Sequence, residues 1–453
     1  MKRLSLVLGF VLLVNVSLAP GASLGSPAQD RPSEHRAAAE AGGLAQQGTP
    51  LQANKPQRFA PCIRGTAHVP ELDGKPVLES GEFPCDRVDL MYVYTMDELG
   101  GGLETGTGRG SDVWGWTDPQ TKREYVLAGK ENGTAIVDIT KPKRPIYLAE
   151  LPTSSPENLI WRDIKIFADH AFIVAESPGH GMQVLDLTRL RDIDPADAPV
   201  TLEEDAHYDG FQRAHNIAIN EDSGFAFAFD QRDDTEGCGR GMHIIDIREP
   251  TNPSFAGCYQ ETRVHDAHCL TYDGPDTRFT GRELCITSTG GGESVGVVDV
   301  TDKTDPVTLS LTGYPNSAFS HQGSLLDGHR FYVHNTESTT RTPQGVEIFD
   351  MADLTNAVHI GFVASVAQST EHNLYQSGRY LHQSNYSSGL RVYDSRNVAD
   401  GTLEEVAFFD VYPPNDDPGF GFGTWSNFAF DSGVVAVHGY QGLWLVKPRL
   451  GRN

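Results

Sequence analysis

The sequence predicts an all-β fold, a seven-bladed β-propeller closed by an N-terminal strand and held by three disulfides. Two observations support this prediction: six cysteines fall into three sequence-local pairs, and one apolar hexad recurs along the chain. The sixth residues of its first six copies are 48, 60, 53, 51 and 44 positions apart, a period typical of four short strands per propeller blade. The copies are GTAIVD at 133–138, GMQVLD at 181–186, GMHIID at 241–246, SVGVVD at 294–299, GVEIFD at 345–350, GLRVYD at 389–394 and GLWLVK at 442–447.

Each hexad contains adjacent apolar residues, so we expect both faces of its strand to be buried between neighbouring blades. Asp closes the first six copies, and Pro, Lys or Asn usually follows within a few residues, as in DITKPKRP and DIREPTNP. Such segments favour an Asx-type turn. The hexad is therefore predicted to be the third strand of each blade, with its Asp turning the chain toward the fourth.

The two ends of the predicted domain complement each other. Only PRLGRN follows the seventh hexad, which leaves the seventh blade without a fourth strand. The segment VDLMYVYTM at 88–96 precedes the first blade and belongs to none of the repeats. Docked on the outer edge of blade seven, it would close the ring and cover the exposed strand edges.

The cysteines predict both connectivity and compartment. Their spacing favours the disulfides Cys62–Cys85, Cys238–Cys258 and Cys269–Cys285, and no pair has the CxxC spacing of a zinc ribbon or redox motif. The third pair should join the first two strands of blade four. Structural disulfides of this kind indicate an oxidising compartment.

The N-terminus has the order of a secretory signal. Lys2 and Arg3 precede an almost wholly apolar run at 4–18, and small residues follow. We expect residues 1–22 to be a signal peptide, 23–57 a disordered leader and 58–450 the propeller. The protein is therefore expected to be secreted, extracellular or periplasmic, with no membrane span in its mature part.

The charge narrows the range of partners. A formal net charge of −25 disfavours nucleic acids and anionic membrane surfaces, both of which attract basic proteins. No Walker A loop, HExxH or GxGxxG motif occurs. The sequence leaves open whether the protein is an enzyme.

Blade-specific blocks resemble the choice-of-anchor B family, secreted propellers built from LVIVD repeats. The blocks are SDVWGWTD at 111–118, WRDIK at 161–165, GHGMQVLDL at 179–187, AHNI at 214–217, HDAHC at 265–269, SHQG at 320–323, EHNLY at 371–375, SNY at 384–386, GLR at 389–391 and WSN at 425–427. The resemblance implies the propeller fold and export, and it implies no reaction. Family members carry variable C-terminal sorting tails, and no such tail follows the seventh hexad, so free secretion or periplasmic residence is expected.

A polar pair opens the innermost strand of each predicted blade. Since this strand faces the axial channel, the pairs should converge at one end of the channel. The residues expected to bind a ligand at the channel mouth are Asp112, Arg162, Asp163, Asn216, Gln322, Asn373 and Asn427. An Arg–Asp salt bridge between blades is the alternative role for Arg162 and Asp163.

Histidine recurs in these pairs in four successive blades, at His215, His268, His321 and His372. The block HDAHC can be registered in two ways, so His265 is the alternative to His268 in blade four. Converging neutral imidazoles suit one Zn, Cu, Fe or Ni ion. Without a metal, they would hydrogen-bond to loops and water in a polar channel. Candidates for an outer shell on the second strands are His334, Glu337, His382, Asn385 and His438.

Two functions are compatible with these features. The first is a monomeric, noncatalytic extracellular module that binds a protein, a glycan or a small molecule through one face of the propeller. The second is a metalloenzyme, such as an oxidoreductase, that uses the axial histidines. The lack of catalytic motifs favours the first function, which we expect, and the recurring histidines make the second the alternative.

Overall fold

The computed structural model describes residues 58–72, 81–101 and 108–451. The expected signal peptide and leader lie outside these residues. The described chain forms seven antiparallel sheets of four strands, two of them extended by further strands, arranged as the blades of a propeller. The predicted fold class is therefore confirmed. No helix among the described residues has the length and apolar character needed to cross a membrane.

The first strand of each blade is the innermost and the fourth is the outermost. Blade one consists of Gly110–Thr117, Glu124–Lys130, Gly133–Asp138 and Ile146–Pro152. Blade two consists of Arg162–Phe167, His170–Ala175, Met182–Asp186 and Ala206–Tyr208. Blade three consists of Asn216–Asn220, Phe225–Phe229, Met242–Asp246 and Ser254–Tyr259. Blade four consists of Asp266–Thr271, Glu283–Ser288, Ser294–Asp299 and Val307–Gly313. Blade five consists of Ser320–Leu325, Phe331–Thr336, Gly345–Asp350 and Val358–Ala364. Blade six consists of Leu374–Ser377, Tyr380–Asn385, Gly389–Asp394 and Glu404–Phe409. Blade seven consists of Thr424–Ala429, Val435–Gly439, Gly442–Pro448 and Val88–Thr95.

Short 3-10 helices connect some of the strands. They are Pro70–Leu72, Asp97–Leu99, Leu187–Asp192, Thr277–Phe279, Tyr386–Ser388 and Val398–Asp400.

Every hexad forms the third strand of its blade, as predicted. The Asp at the end of each of the first six hexads accepts a hydrogen bond from the backbone N–H two residues later, at 2.9–3.1 Å. Asp138 does so from Thr140, and Asp299 from Thr301. These contacts are the expected Asx-type turns, and they lead the chain toward the outer strand.

The N-terminal strand closes the ring. Val88–Thr95 pairs antiparallel with Gly442–Pro448, and Val93 lies opposite Trp444 in this pairing. Both side chains are fully buried in the apolar core between blades six and seven. The closure predicted from the missing fourth strand is confirmed.

Three further groups of short strands are added to the seven blades. Glu82–Asp86 extends the outer edge of blade six and pairs in turn with Thr66–His68. Val200–Thr201 adds a short parallel strand to the edge of blade one. A separate two-stranded ribbon of Phe211–Arg213 and Arg232–Asp234 stands above blade three.

The three predicted disulfides are present, with Cα–Cα distances of 6.1 Å for Cys62–Cys85, 5.1 Å for Cys238–Cys258 and 4.0 Å for Cys269–Cys285. The last pair links directly opposed residues of the first two strands of blade four. The first links residue 62 to the strand that extends blade six.

Apolar side chains fill the spaces between blades. Between blades one and two, for example, Leu127 and Ile136 pack with Ile173 and Leu185. The inner strands approach each other so closely that some positions accept no side chain. A Cβ atom on Gly115 of blade one would lie 2.3 Å from the ring of Phe428 in blade seven. The core therefore occupies the gaps between blades, and the polar side chains are left to the channel.

Candidate functional site

One end of the axial channel opens into a cavity of about 500 Å³, which we call the axial cavity. It lies where first strands begin and second strands end, because antiparallel pairing brings these two ends of a blade together. His215 and His265 come from first-strand starts, and Glu176 and Glu337 follow second strands. Residues that are distant in sequence therefore meet in one place.

Four histidines from blades three to six form an arc in the wall of this cavity. The ring centroids of His215 and His265 are 4.7 Å apart, those of His265 and His321 are 4.7 Å apart, and those of His321 and His372 are 4.2 Å apart. We call these four side chains the histidine arc. The structure thus brings together four of the five predicted histidines.

His268 is not among them. It lines a second cavity, of about 430 Å³, together with Trp114 and Tyr375, and its Nδ1 atom accepts a hydrogen bond from the backbone N–H of Leu325 at 3.0 Å. His265 takes the place in the arc that the regular spacing assigned to His268. Three residues along a strand correspond to about 10 Å, which is enough to separate the two imidazoles.

Two histidines of the arc share a carboxylate. The Nε2 atom of His321 lies 3.8 Å from one oxygen of Glu337, and the Nε2 atom of His372 lies 3.7 Å from the other. His321, His372 and Glu337 each have one potential ligand atom that lies within 4.8 Å of those of the other two. Among the described residues, His215 and His265 do not belong to this three-residue set. Glu337, expected only as an outer-shell residue, therefore lies at the centre of the site.

Hydrogen bonds orient two members of this set. His372 donates from Nδ1 to the carbonyl oxygen of Trp425 at 2.6 Å, which leaves the lone pair of the neutral ring on Nε2. Glu337 accepts a hydrogen bond from the hydroxyl of Tyr386 at 2.7 Å. The Nδ1 atom of His321 is buried and has no partner among the described residues.

The electrostatics keep these imidazoles neutral. Burial, together with the neighbouring His372, holds the pKa of His321 well below its usual range, and burial lowers the pKa of His372 to about 3. Burial raises the pKa of Glu337, although the hydrogen bond from Tyr386 opposes this shift. Neutral imidazoles are the form that binds metal ions.

His215 has the opposite character. Burial disfavours its charged form, but the hydrogen bond from Nδ1 to Glu176, at 2.7 Å, outweighs burial and raises the pKa of His215. Burial would also raise the pKa of Glu176, whereas the contact with His215 lowers it. The arc therefore combines an imidazole that favours the charged form with neutral imidazoles.

The predicted channel-mouth residues are not among the described residues that line the axial cavity. Most of them form hydrogen bonds with the adjacent blade. Asp112 accepts from the N–H of Ile164, and Asp163 from that of Ile217, at 3.1 and 2.7 Å. The other such contacts join Asn216 to the carbonyl of His265, Gln322 to the backbone of Leu374, Asn373 to the hydroxyl of Ser426 and Asn427 to the hydroxyl of Ser384. These contacts tie adjacent blades together.

Arg162 also differs from its expected position. It is fully buried, donates from Nε to the carbonyl of Lys130 at 3.2 Å and places Nη1 2.8 Å from Nε2 of His180. Burial lowers its pKa to about 10. Among the described residues Arg162 forms no salt bridge with Asp163, because the guanidinium extends between blades one and two.

The remaining outer-shell candidates are part of the blades. The two ring nitrogens of His438 lie 2.9 and 2.8 Å from the carbonyl oxygens of Gly129 and Gly442, and the ring donates a hydrogen bond to one of them. His334, His382 and Asn385 are buried on second strands and do not line the axial cavity of the described residues. A further group of potential metal ligands, Asp234, Cys238 and His243, offers no thiolate because Cys238 is in a disulfide.

The rest of the cavity wall was not predicted from the sequence. Its charged side consists of Glu176, Asp230, Arg232 and Arg263, and its aromatic side consists of Trp161, Tyr386, Phe420, Trp425 and Tyr440. Trp161 and Trp425 stand one position before a polar pair, a signal that becomes visible only when these first-strand starts are aligned. Arg232, Arg263 and Phe420 lie on connecting segments or on the ribbon, where no repeat marks them.

Comparisons with known proteins concern the fold. The WD40 propeller domain of Doa1 superposes with a TM-score of 0.51 at 7% identity, covering 80% of this chain and 96% of that one. A periplasmic gluconolactonase of Pseudomonas aeruginosa gives a TM-score of 0.47 at 12% identity, covering 66% and 85%. Hydrazine synthase of Kuenenia stuttgartiensis gives 0.47 at 11% identity, covering 70% and 89%. No family model and no curated protein matches the sequence. At 7% identity, the likeness to the Doa1 domain supports a propeller fold and no activity.

Proposed function

We propose that this chain is an exported β-propeller that binds one divalent transition-metal ion in its axial cavity and presents it to a small molecule. The proposed ligands are His321, His372 and Glu337. The observation that carries the proposal is the approach of two neutral imidazoles and a partly buried carboxylate, with ligand atoms within 4.8 Å of one another. The cavity beside them provides room for a second ligand.

The donor set determines which ions are favoured. Two imidazoles and one carboxylate bind Zn²⁺ in catalytic sites and Fe²⁺ in non-haem sites, and in both cases coordination positions stay open. A metal ion held here would polarise an oxygen donor bound beside it. The Trp425 carbonyl and the Tyr386 hydroxyl support the ligands from outside, as outer-shell partners commonly do.

Export and family membership are part of the same proposal. Three disulfides are compatible with an oxidising compartment, and the N-terminal sequence pattern supports secretion. We propose that the chain belongs to the choice-of-anchor B propellers, on the strength of its blade-specific sequence blocks. The axial cavity would then face an extracellular or periplasmic solution.

The second candidate function is a binding module that needs no metal. The exposed aromatic rings of Trp161 and Phe420 at the cavity mouth favour it, because large apolar side chains exposed in a concave surface often mark ligand sites. Under this alternative the histidines would only hydrogen-bond to water and ligand.

Metal analysis separates the two candidates. Protein purified without chelators and protein reloaded with Zn²⁺, or with Fe²⁺ under anaerobic conditions, should each contain about one ion per chain. His321→Ala and Glu337→Gln should lower the affinity at least tenfold while circular dichroism and the melting temperature indicate a folded ring. His268→Ala is the matched control, since its imidazole lies at the other cavity, and it should keep the ion. A wild-type protein that takes up no metal, or variants that bind it as the wild type does, would contradict the proposal.

A further inference from the structure

We infer that the small molecule bound in the axial cavity is an organic carboxylate with a flat apolar body. The carboxylate would bind Arg232 and Arg263, and the flat body would stack on the aromatic side. The inference rests on the proposed function, because it names the ligand class of the same cavity. It depends on the walls of the cavity rather than on the metal ligands.

The charged side of the cavity brings arginines to its wall, although the formal net charge of the chain is −25. Asp230 accepts hydrogen bonds from two guanidinium groups, those of Arg263 and of Arg240, which does not line the cavity, each with a contact of 2.6 Å. Glu176 contacts His215 and, at 3.7 Å, Arg232. The carboxylates thus hold the guanidinium groups of Arg232 and Arg263 at the wall, where they can bind an anionic group.

The two arginines that line the cavity have binding capacity left. Arg232 exposes 42% of its side chain and has only the 3.7 Å contact with Glu176 among the ion pairs of the described residues. Arg263 exposes 29% of its side chain, and its Nε atom is buried without a partner in the described part of the chain. A guanidinium group binds a carboxylate through two parallel hydrogen bonds, which makes arginine the preferred residue for this ligand.

The aromatic side offers ring faces at the same mouth. Trp161 is 41% exposed and Phe420 is 51% exposed. Behind them Tyr386 packs against Phe420 with ring centroids 5.5 Å apart, and Trp425 packs against Tyr440 at 5.7 Å. Rings supported in this way provide a large, rigid apolar surface, and a flat ligand gains most by stacking on it.

The two sides belong to different parts of the ring. The arginines stand at blades three and four, whereas Phe420 and Trp425 belong to blade seven and Trp161 to blade two. The proposed metal ligands, on blades five and six, lie between these arginines and blade seven, whereas Trp161 of blade two adjoins the arginines of blade three. A ligand with an anionic end and a flat apolar end matches this arrangement.

The probe for this inference is 2-naphthoate, with 2-naphthalenemethanol as its uncharged counterpart. Both compounds are titrated by calorimetry into chelator-treated and Zn²⁺-loaded protein. We expect saturable binding of 2-naphthoate and at least tenfold weaker binding of the alcohol. Arg232→Gln, Arg263→Gln and Trp161→Ala should each weaken 2-naphthoate binding about tenfold or more. Arg248→Gln is the matched control, because Arg248 pairs with Asp246 at the third-strand end of blade three, and it should change nothing.

The outcomes of these titrations test the inferred ligand class separately from the proposed metal site. If Arg232→Gln and Arg263→Gln bind 2-naphthoate as the wild type does, if the alcohol binds equally well, or if neither compound saturates, the inferred ligand class is wrong. Metal content is measured on the same samples. Metal uptake without 2-naphthoate binding overturns this inference alone. Binding of 2-naphthoate to a protein that takes up no metal overturns the proposed metal site and supports the ligand class.

Discussion

The Nδ1 atom of His265 donates a hydrogen bond to the backbone carbonyl of His321 at 2.9 Å. A side chain of blade four is therefore oriented by the backbone of blade five, directly beside the proposed metal ligands. Burial and the charge of His215 hold the pKa of His265 well below its usual range, so the ring is neutral and Nδ1 carries the proton. The histidine arc is thus connected by hydrogen bonds as well as by ring contacts.

Replacing His265 should show that it supports the site without holding the metal. His265→Ala removes a buried hydrogen bond and leaves the carbonyl of His321 without this donor, so we expect a loss of about 1–3 kcal/mol in the free energy of unfolding. The metal content should stay at the wild-type value, because His265 lies outside the three-residue set. Urea unfolding and elemental analysis measure the two quantities. Complete loss of metal from a folded variant would show that His265 is a ligand.

A buried carboxyl group far from the site should make stability depend on pH. Burial raises the pKa of Asp410 from 3.8 to about 7, while its Oδ1 atom accepts a hydrogen bond from the N–H of Tyr412 at 2.7 Å. The folded protein therefore prefers the protonated form. The stability contributed by this group is present below pH 3.8 and is lost as the pH rises toward 7, by on the order of 4 kcal/mol in total.

Asp410→Asn keeps the acceptor and removes the charge. The variant should gain stability relative to the wild type as the pH rises from 4 to 8, when the free energies of unfolding are compared by urea denaturation at each pH. A difference that stays constant over this range would show that Asp410 does not titrate in this way.

The closing strand should be essential to the ring. Val93→Asp places a carboxylate in the buried contact with Trp444, and we expect a loss of at least about 4 kcal/mol or an aggregated product. Val366→Asp is the matched control, since Val366 is exposed, and it should change the free energy of unfolding by less than about 0.5 kcal/mol. Equal melting temperatures for the two variants would contradict the assigned role of Val88–Thr95.

The disulfide of blade four should stabilise the ring by restricting the unfolded chain. Cys269 and Cys285 are 16 residues apart in sequence, so their replacement by Ala in a double variant should cost about 3 kcal/mol. Chemical denaturation of the wild type and the double variant measures this cost. Thiol titration of the denatured, unreduced wild-type protein should detect no free cysteine, and any reactive thiol would contradict the pairing.

Much of the scaffold could be predicted because it depends on local sequence periodicity. The hexads identify the third strands, since burial on both faces requires adjacent apolar residues. Their closing Asp residues identify the turns, since the hydrogen bond spans only two residues. The disulfides were predictable for a similar reason, because each pair is close in sequence and lies on neighbouring segments.

The site was predicted only in part. The recurrence of histidine at first-strand starts indicated the arc, but it left open whether His268 or His265 belongs to it. The choice depends on where the first strand of blade four begins, and a shift of three residues moves a side chain about 10 Å along the channel. Both registers of HDAHC satisfy the sequence pattern, so the pattern could not distinguish them.

By itself, the sequence determined the number of blades, the order of their strands, the closure by the N-terminal strand and the cysteine pairs, because each depends on short-range periodicity or on neighbouring segments. Only the tertiary structure decided that Glu337 lies between His321 and His372, that Arg162 is buried between blades and that Arg232 and Arg263 line the same cavity as the aromatic side. These relationships join residues from different blades across a ring. They depend on its radius and on the rotation of each blade, which the packing of the whole molecule sets and no local pattern encodes.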